Sequence, residues 1–213
     1  MMSSIQRERD KFWQQYYSGE IHGDSELVEQ PSPFAEEVSA TIKGSRCSLL
    51  EIGCGNGRDS CFFASNDVVV VATDICEAAI KLTASRLPKD CKALVASAKN
   101  LPDDMSVDYA YARFVLHALT EEEECELFIW LKSHVKKKIF IETRSVNDPR
   151  YGKGEKVGKN AYVDTHYRRF MSCADLQAAA NRAGLLVDDI QDTTSGSGKD
   201  GARVVRATLS IER

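Results

Sequence analysis

Residues 49–57 read Leu-Leu-Glu-Ile-Gly-Cys-Gly-Asn-Gly. An apolar strand runs into the acidic Glu51, then into glycines at alternate positions, Gly53, Gly55 and Gly57, and a helix is expected from about Arg58. Glycine reaches positive φ and lets a ligand approach the backbone, and the helix that follows presents free N–H groups at its start. The next apolar run, Val68 to Thr73, ends in Asp74. A glycine turn after one strand and an acid after the next is a nucleoside-binding layout, the acid taking the ribose hydroxyls.

From Cys47 onward the chain alternates strand and helix. Strands are expected at about 47–52, 68–73, 92–96, 107–112 and 137–143, and helices at about 58–65, 76–87 and 120–134. The strand runs lack strict alternation, as parallel strands buried on both faces do. Upstream, residues 5–17 read as an aromatic-rich helix, and Ser32-Pro33 opens another, serine as cap and proline in the first turn. Glu121 to Glu124 read as a solvated helix start favoured by the dipole. Residues 144–171 are polar, glycine-bearing and too long for an ordinary connection. A helix at about 172–183, a strand at 185–191, a Ser/Gly-rich loop at 193–201 and a strand at 202–211 complete the chain.

The identity of the nucleoside turns on two positions. In the dinucleotide fingerprint G-x-G-x-x-G, Gly53 and Gly55 fit, but the third glycine falls on Arg58. A pyrophosphate would also face Glu51 with like charge, whereas a sulfonium or ammonium suits that carboxylate. The stretch resembles motif I of the class I S-adenosylmethionine (SAM)-dependent methyltransferases, E/D-x-G-x-G-x-G. The resemblance covers roughly residues 45–213. It implies an α/β, Rossmann-like fold, with a seven-stranded, mostly parallel sheet, an antiparallel last strand and helices on both faces. One methyltransferase domain is expected over 1–213: a helical cap at 1–44, a SAM-binding core at 45–143, an acceptor-binding insert at 144–171 and a C-terminal helix and hairpin at 172–213.

The resemblance also assigns roles. Asp74 should accept from both ribose hydroxyls, with Ile75 covering one face of adenine. Ser97 stands where the family commonly has an aspartate for the adenine amino group, a departure, and the Ala98 N–H is the other expected contact. Cys54 is a small residue inside the turn, steric in role. The end of the fourth strand should lie beside the methionine part of SAM, which brings in Arg113 and His117. Trp13 and Tyr17, from the Phe12-Trp13-Tyr16-Tyr17 cluster, are candidates for a lid, since aromatic faces attract sulfonium cations. The alternative is that the cluster is only core.

The acceptor side rests on charge. The whole chain carries −4. Residues 144–169 hold seven Lys/Arg and three Asp/Glu, a net of +4, interleaved with Tyr151, Tyr162, His166 and Tyr167. An anionic acceptor is expected there, a phosphorylated sugar or a carboxylate methylated at oxygen. Its candidate contacts are Arg144, Arg150, Tyr151, Tyr167, Arg168 and Arg169, because an arginine fork binds two oxygens at once. The insert is also similar to that of small bacterial methyltransferases associated with cell-surface polysaccharide and phospho-sugar modification. A sugar hydroxyl would need a base, and His117, His166 or Glu142 could serve.

Composition bounds the rest. With 43% hydrophobic and 28% charged residues, the chain reads as an ordinary soluble protein. Seven cysteines without a C-x-x-C pair argue for reduced thiols and against zinc, so no metal is expected. No apolar run approaches a membrane span and no apolar signal segment precedes the core, so a cytoplasmic monomer or homodimer is expected. Nucleic acid is not the expected partner of an acidic chain with so short a basic patch. The rival readings are a methyltransferase acting on RNA, protein or a thiol/metalloid compound, a non-catalytic binding protein of the same fold, and an NAD(P) oxidoreductase.

Overall fold

The computed structural model of the chain describes residues 4–19, 29–42, 46–196 and 201–211. They fall into two compact units, Met1–Ser97 and Ala98–Arg213.

The first unit begins with helices α1 (Ser4–Tyr17) and α2 (Pro33–Thr41). Ser32 caps α2, its Oγ accepting from Ala35 N at 3.1 Å. Both Ser32 donors are taken in turn by the buried carboxylate of Asp59 (N to Oδ1 2.7 Å, Oγ to Oδ2 2.8 Å). There follow β1 (Cys47–Ile52), α3 (Arg58–Ala64), β2 (Val68–Asp74), α4 (Glu77–Arg86) and β3 (Lys92–Val95). The strands are parallel, in the order β3-β2-β1. The register runs from Cys47 opposite Val68 to Ile52 opposite Thr73. The glycine turn and Asp74 therefore leave the sheet at the same end, side by side.

The second unit contains β4 (Val107–Arg113), a 3₁₀ turn at Leu116–Ala118, α5 (Glu121–His134) and β5 (Val135–Arg144). Next come three short strands, β6 (Glu155–Gly158), β7 (Ala161–Val163) and β8 (Tyr167–Arg169). Helix α6 (Cys173–Arg182), β9 (Leu185–Thr194) and β10 (Arg203–Ile211) end it. The order is β4-β5-β10-β9, with β4 parallel to β5 and β10 antiparallel to both its neighbours. The last strand is thus the reversed one, as expected. Residues 197–200 of the expected hairpin loop lie outside the described residues. Leu127, Phe128 and Leu131 of α5, Ile139 and Ile141 of β5, and Leu176 of α6 are fully buried.

Two findings depart from the sequence reading. The insert, for which no strands were expected, contains three: β6, β7 and β8 form an antiparallel sheet of their own. It is closed at its base, where Met171 N donates to Arg144 O (2.9 Å) and Val146 N to Met171 O (3.1 Å). The glutamate run is also not all solvated, since Glu123 and Glu124 are 1% exposed. Glu123 completes a capping box with Thr120, accepting from its N–H at 2.9 Å. Glu124 forms a buried ion pair with Arg169, whose Nε also donates to Leu119 O at 3.0 Å. Burial pushes the Glu124 carboxyl pKa up, against the pull of Arg169.

Breaking one side of such a pair strands a buried charge, at a cost of about 3–5 kcal/mol. Arg169→Ala should therefore lower unfolding stability by that order in urea titrations. Arg169→Met combined with Glu124→Leu should recover most of it. A loss below about 1 kcal/mol for the single variant would show that the pair does not anchor β8.

Candidate functional site

In the first unit the site is built around Asp74. Its Oδ2 accepts from Gly55 N and its Oδ1 from Cys76 N, both at 2.9 Å. Burial raises the carboxyl pKa, opposed by the backbone N–H groups of Cys76, Gly55 and Ile75. One carboxylate ties the glycine turn to the start of the next segment, and with about four acceptor sites it keeps capacity for a further donor. The turn is braced from behind as well. Thr83 Oγ1 donates to Gly55 O (3.2 Å) and Arg86 Nη1 to Asn56 O (3.0 Å), so α4 occupies its carbonyls. Thr73 O accepts from both Gly53 N (2.8 Å) and Cys54 N (2.9 Å).

Two of the glycines are required sterically as well as by φ. Gly55 has φ 54°, and a Cβ there would collide with the Tyr17 phenol. Gly57 has φ 75° as N-cap of α3, and a Cβ would overlap the Thr83 side chain. Tyr17 thus closes over the turn from α1. Burial, then the nearby Asp74 charge, pushes its pKa up, which keeps the phenol neutral. Trp13 stacks on Tyr17 with centroids 6.3 Å apart. Gln14, which sequence reasoning missed, donates to Ile75 O at 2.7 Å; an exposed glutamine in an aromatic helix carries no signal of that kind.

Glu51 is 3% exposed and accepts from Ser60 Oγ at the start of α3. The Cys54 thiol is buried, and burial followed by the charges of Glu51 and Asp74 raises its pKa, which suits a small packing residue and not a nucleophile. Ser97 and Ala98, past β3, are half-buried. A nucleoside with a cationic tail fits the first unit: a carboxylate with open lone pairs, a turn with no room for Cβ atoms, and a buried acid at Glu51.

In the second unit the strand register dictates the centre. Glu142 of β5 lies opposite Arg113 of β4 and opposite Arg206 of β10. It is fully buried, with Arg113 Nε 2.8 Å from Oε1 and Arg206 Nε 2.8 Å from Oε2. Ser195 Oγ also donates to Oε1 at 3.3 Å. Glu142 is thus held on both oxygens by arginines, which it orders in turn.

Around this centre the structure gathers Arg144, Arg168, His117 and His166. Arg144 pairs with the buried Asp148 (2.8 Å), and Arg168 with Asp164. His166 Nδ1 lies 3.1 Å from Thr165 Oγ1 and 3.4 Å from Arg168 Nη2. Burial, reinforced by the Arg168 charge, lowers the His166 pKa to about 3. Burial and then Arg144 lower that of His117 as well. Arg150 N donates to Asp148 Oδ1 at 2.8 Å, and its charge adds to the field at His166 and Arg168. Tyr167 is buried on β8. Tyr151 and Arg169 do not join this group. Tyr151 donates to Asn160 Oδ1 (2.9 Å) and packs edge-on against Tyr162 and Phe170, while Arg169 faces Glu124.

Two outcomes follow. Asp74→Ala should weaken S-adenosylhomocysteine binding by tenfold or more in calorimetry, since a charge-assisted hydrogen bond contributes about 1.5–3 kcal/mol; unchanged affinity would exclude Asp74 from the ribose. For the histidines, a folded-state pKa below the unfolded value means that the unfolded chain takes up a proton the folded one refuses. Their stabilising contribution is present above the unfolded pKa, near 6.5, and is lost as pH falls toward about 3 for His166. His166→Asn should therefore lose roughly 1 kcal/mol less than wild type between pH 7 and 5.5 in urea titrations, and equal losses would mean that His166 stays protonated in the fold.

Among known proteins, residues 49–138 match the family described as Methyltransferase domain. No curated protein matches the chain at a significant level. Among solved structures, the Burkholderia thailandensis 1,6-didemethyltoxoflavin-N1-methyltransferase with S-adenosylhomocysteine is similar with TM-score 0.74 at 17% identity, covering 100% of this chain and 92% of that one. A SAM-dependent methyltransferase from Methanosarcina mazei gives 0.71 at 15%, covering 82% and 96%. The magnesium protoporphyrin IX methyltransferase from Synechocystis PCC 6803 with bound SAM gives 0.68 at 13%, covering 99% of each. At such identities the structures speak to the fold: a mostly parallel seven-stranded sheet with an antiparallel last strand. Residues 49–138 thus match a methyltransferase domain, and the chain has the fold of SAM-dependent methyltransferases of known structure.

Proposed function

We propose that the enzyme transfers the methyl group of SAM to an oxygen of a small anionic acceptor, a phosphorylated sugar or a carboxylate. The observation that carries this reading is the grouping of Arg113, Arg144 and Arg168 with His117 and His166 in the second unit, where burial lowers the pKa of both histidines. The names of the structural neighbours span a toxoflavin precursor and a magnesium porphyrin, so the fold alone does not choose an acceptor.

When bound, SAM supplies an electrophilic methyl carbon on its sulfonium. The chain's residues then have three tasks. Asp74 and the glycine turn fix the nucleoside, and Tyr17 and Trp13 shield it from water. Arg144, together with Arg113 and Arg168, holds the acceptor's anionic group, with Arg150 adding to the field, so that the attacking oxygen is aligned for in-line displacement. A phosphate or carboxylate oxygen attacks unaided. A sugar hydroxyl gives its proton to His166 or His117, and the acceptor's own negative charge favours the protonated imidazole that results.

The test is a panel of phosphorylated and carboxylated acceptors with labelled SAM, run on wild type, Arg144→Ala and Arg168→Ala. Both variants should raise the acceptor KM by tenfold or more and leave S-adenosylhomocysteine affinity within twofold of wild type, the loss expected when a charged hydrogen-bonding partner is removed. Equal loss of both would assign the arginines to the fold. Methylation of RNA with a steep salt dependence, and of no small anion, would replace the acceptor reading. Activity unchanged by EDTA is expected, and restoration by magnesium after chelation would overturn metal independence.

A further inference from the structure

Three non-glycine residues among those described have positive φ: Asp67, Phe114 and Asn160. Asp and Asn adopt this conformation readily, whereas a bulky aromatic does not. Phe114, at φ 54°, directly follows the last residue of β4. A conformation of that kind persists only where its surroundings fix it, and such residues gather at ligand sites. Its N–H donates to Glu142 O at 2.8 Å.

The ring meets two cations. The Arg113 Cζ lies 4.5 Å from its centroid and the Arg144 Cζ 5.3 Å. The His117 ring stands edge-on to it, centroids 5.6 Å apart and planes at 84°. Two guanidiniums repel, and an aromatic ring attracts each of them. Each is also tethered by an acid, Arg113 by Glu142 and Arg144 by Asp148, both at 2.8 Å. Acid and ring together fix where each cation sits, which a flexible arginine does not manage alone.

We propose that Phe114 is a positioning residue for the acceptor, its ring setting Arg113 and Arg144 at the separation that receives two oxygens of one phosphate or carboxylate. This rests on the anionic-acceptor reading. Phe114 touches no reacting atom; it acts through the two arginines.

The test compares wild type, Phe114→Leu and Phe114→Trp. Leucine keeps apolar bulk without a π face, and tryptophan keeps the face. Inorganic phosphate and S-adenosylhomocysteine are titrated separately by calorimetry, and the Arg Nε–H resonances are recorded by NMR on the free protein. Phosphate affinity is expected to fall at least fivefold in Phe114→Leu and to return in Phe114→Trp, with S-adenosylhomocysteine affinity unchanged. The Arg113 and Arg144 resonances should carry ring-current shifts that Phe114→Leu removes. Wild-type phosphate affinity in the leucine variant, or parallel loss of both ligands, would overturn the proposal. Absence of ring-current shifts in wild type would do so as well, whatever binds. Failure of wild type to bind phosphate, with the shifts present, would overturn the acceptor assignment of the pair and leave the ring's hold on the arginines standing.

Discussion

The Asp74 carboxylate is buried where hydration cannot reach it fully, and its stability as an anion depends on the N–H groups aimed at it. Those groups belong to Gly55 and Cys76. The charge therefore dictates the backbone around it: Gly55 must turn into positive φ to present its N–H, and the chain after β2 must fold back. The parallel register of β1 on β2 delivers both segments to the same end of the sheet. Thr83 and Arg86 of α4 then take up the carbonyls that such a turn leaves behind. Fold and candidate cofactor site are in this respect one set of hydrogen bonds.

The second unit follows a related rule, with a buried carboxylate held by side-chain cations in place of backbone N–H groups. Glu142 is fully buried and stays acceptable there because strand register sets an arginine on either side of it. That arrangement makes Glu142 the post on which Arg113 and Arg206 stand.

The parallel strands were legible because burial on both faces leaves continuous apolar runs, and β1 was placed to the residue. The glycine turn was legible because few residue types can occupy it. The insert was not. Its strands are only three or four residues long, too short for a periodicity to show. That omission explains the misreading of Arg169. Neighbouring residues on a strand point to opposite faces, so Arg168 and Arg169 could not share a role. One meets Asp164 and the other the buried Glu124. The burial of Glu123 and Glu124 was hidden for the same reason, since their partners come from the cap geometry and from β8. Phe114 was hidden because nothing in an aromatic residue announces a left-handed backbone.

The closed base of the insert has a wider consequence. Its ends are joined by the Arg144–Met171 and Val146–Met171 hydrogen bonds, so the chain enters and leaves the segment at nearly one point. The entropy of closing a loop grows only slowly with its length. A segment of different size and charge could be grafted between Arg144 and Met171 without moving β5 or α6. On the acceptor reading proposed above, such a segment would be an exchangeable cassette, through which one scaffold could acquire new acceptors by replacement of a single contiguous stretch of sequence.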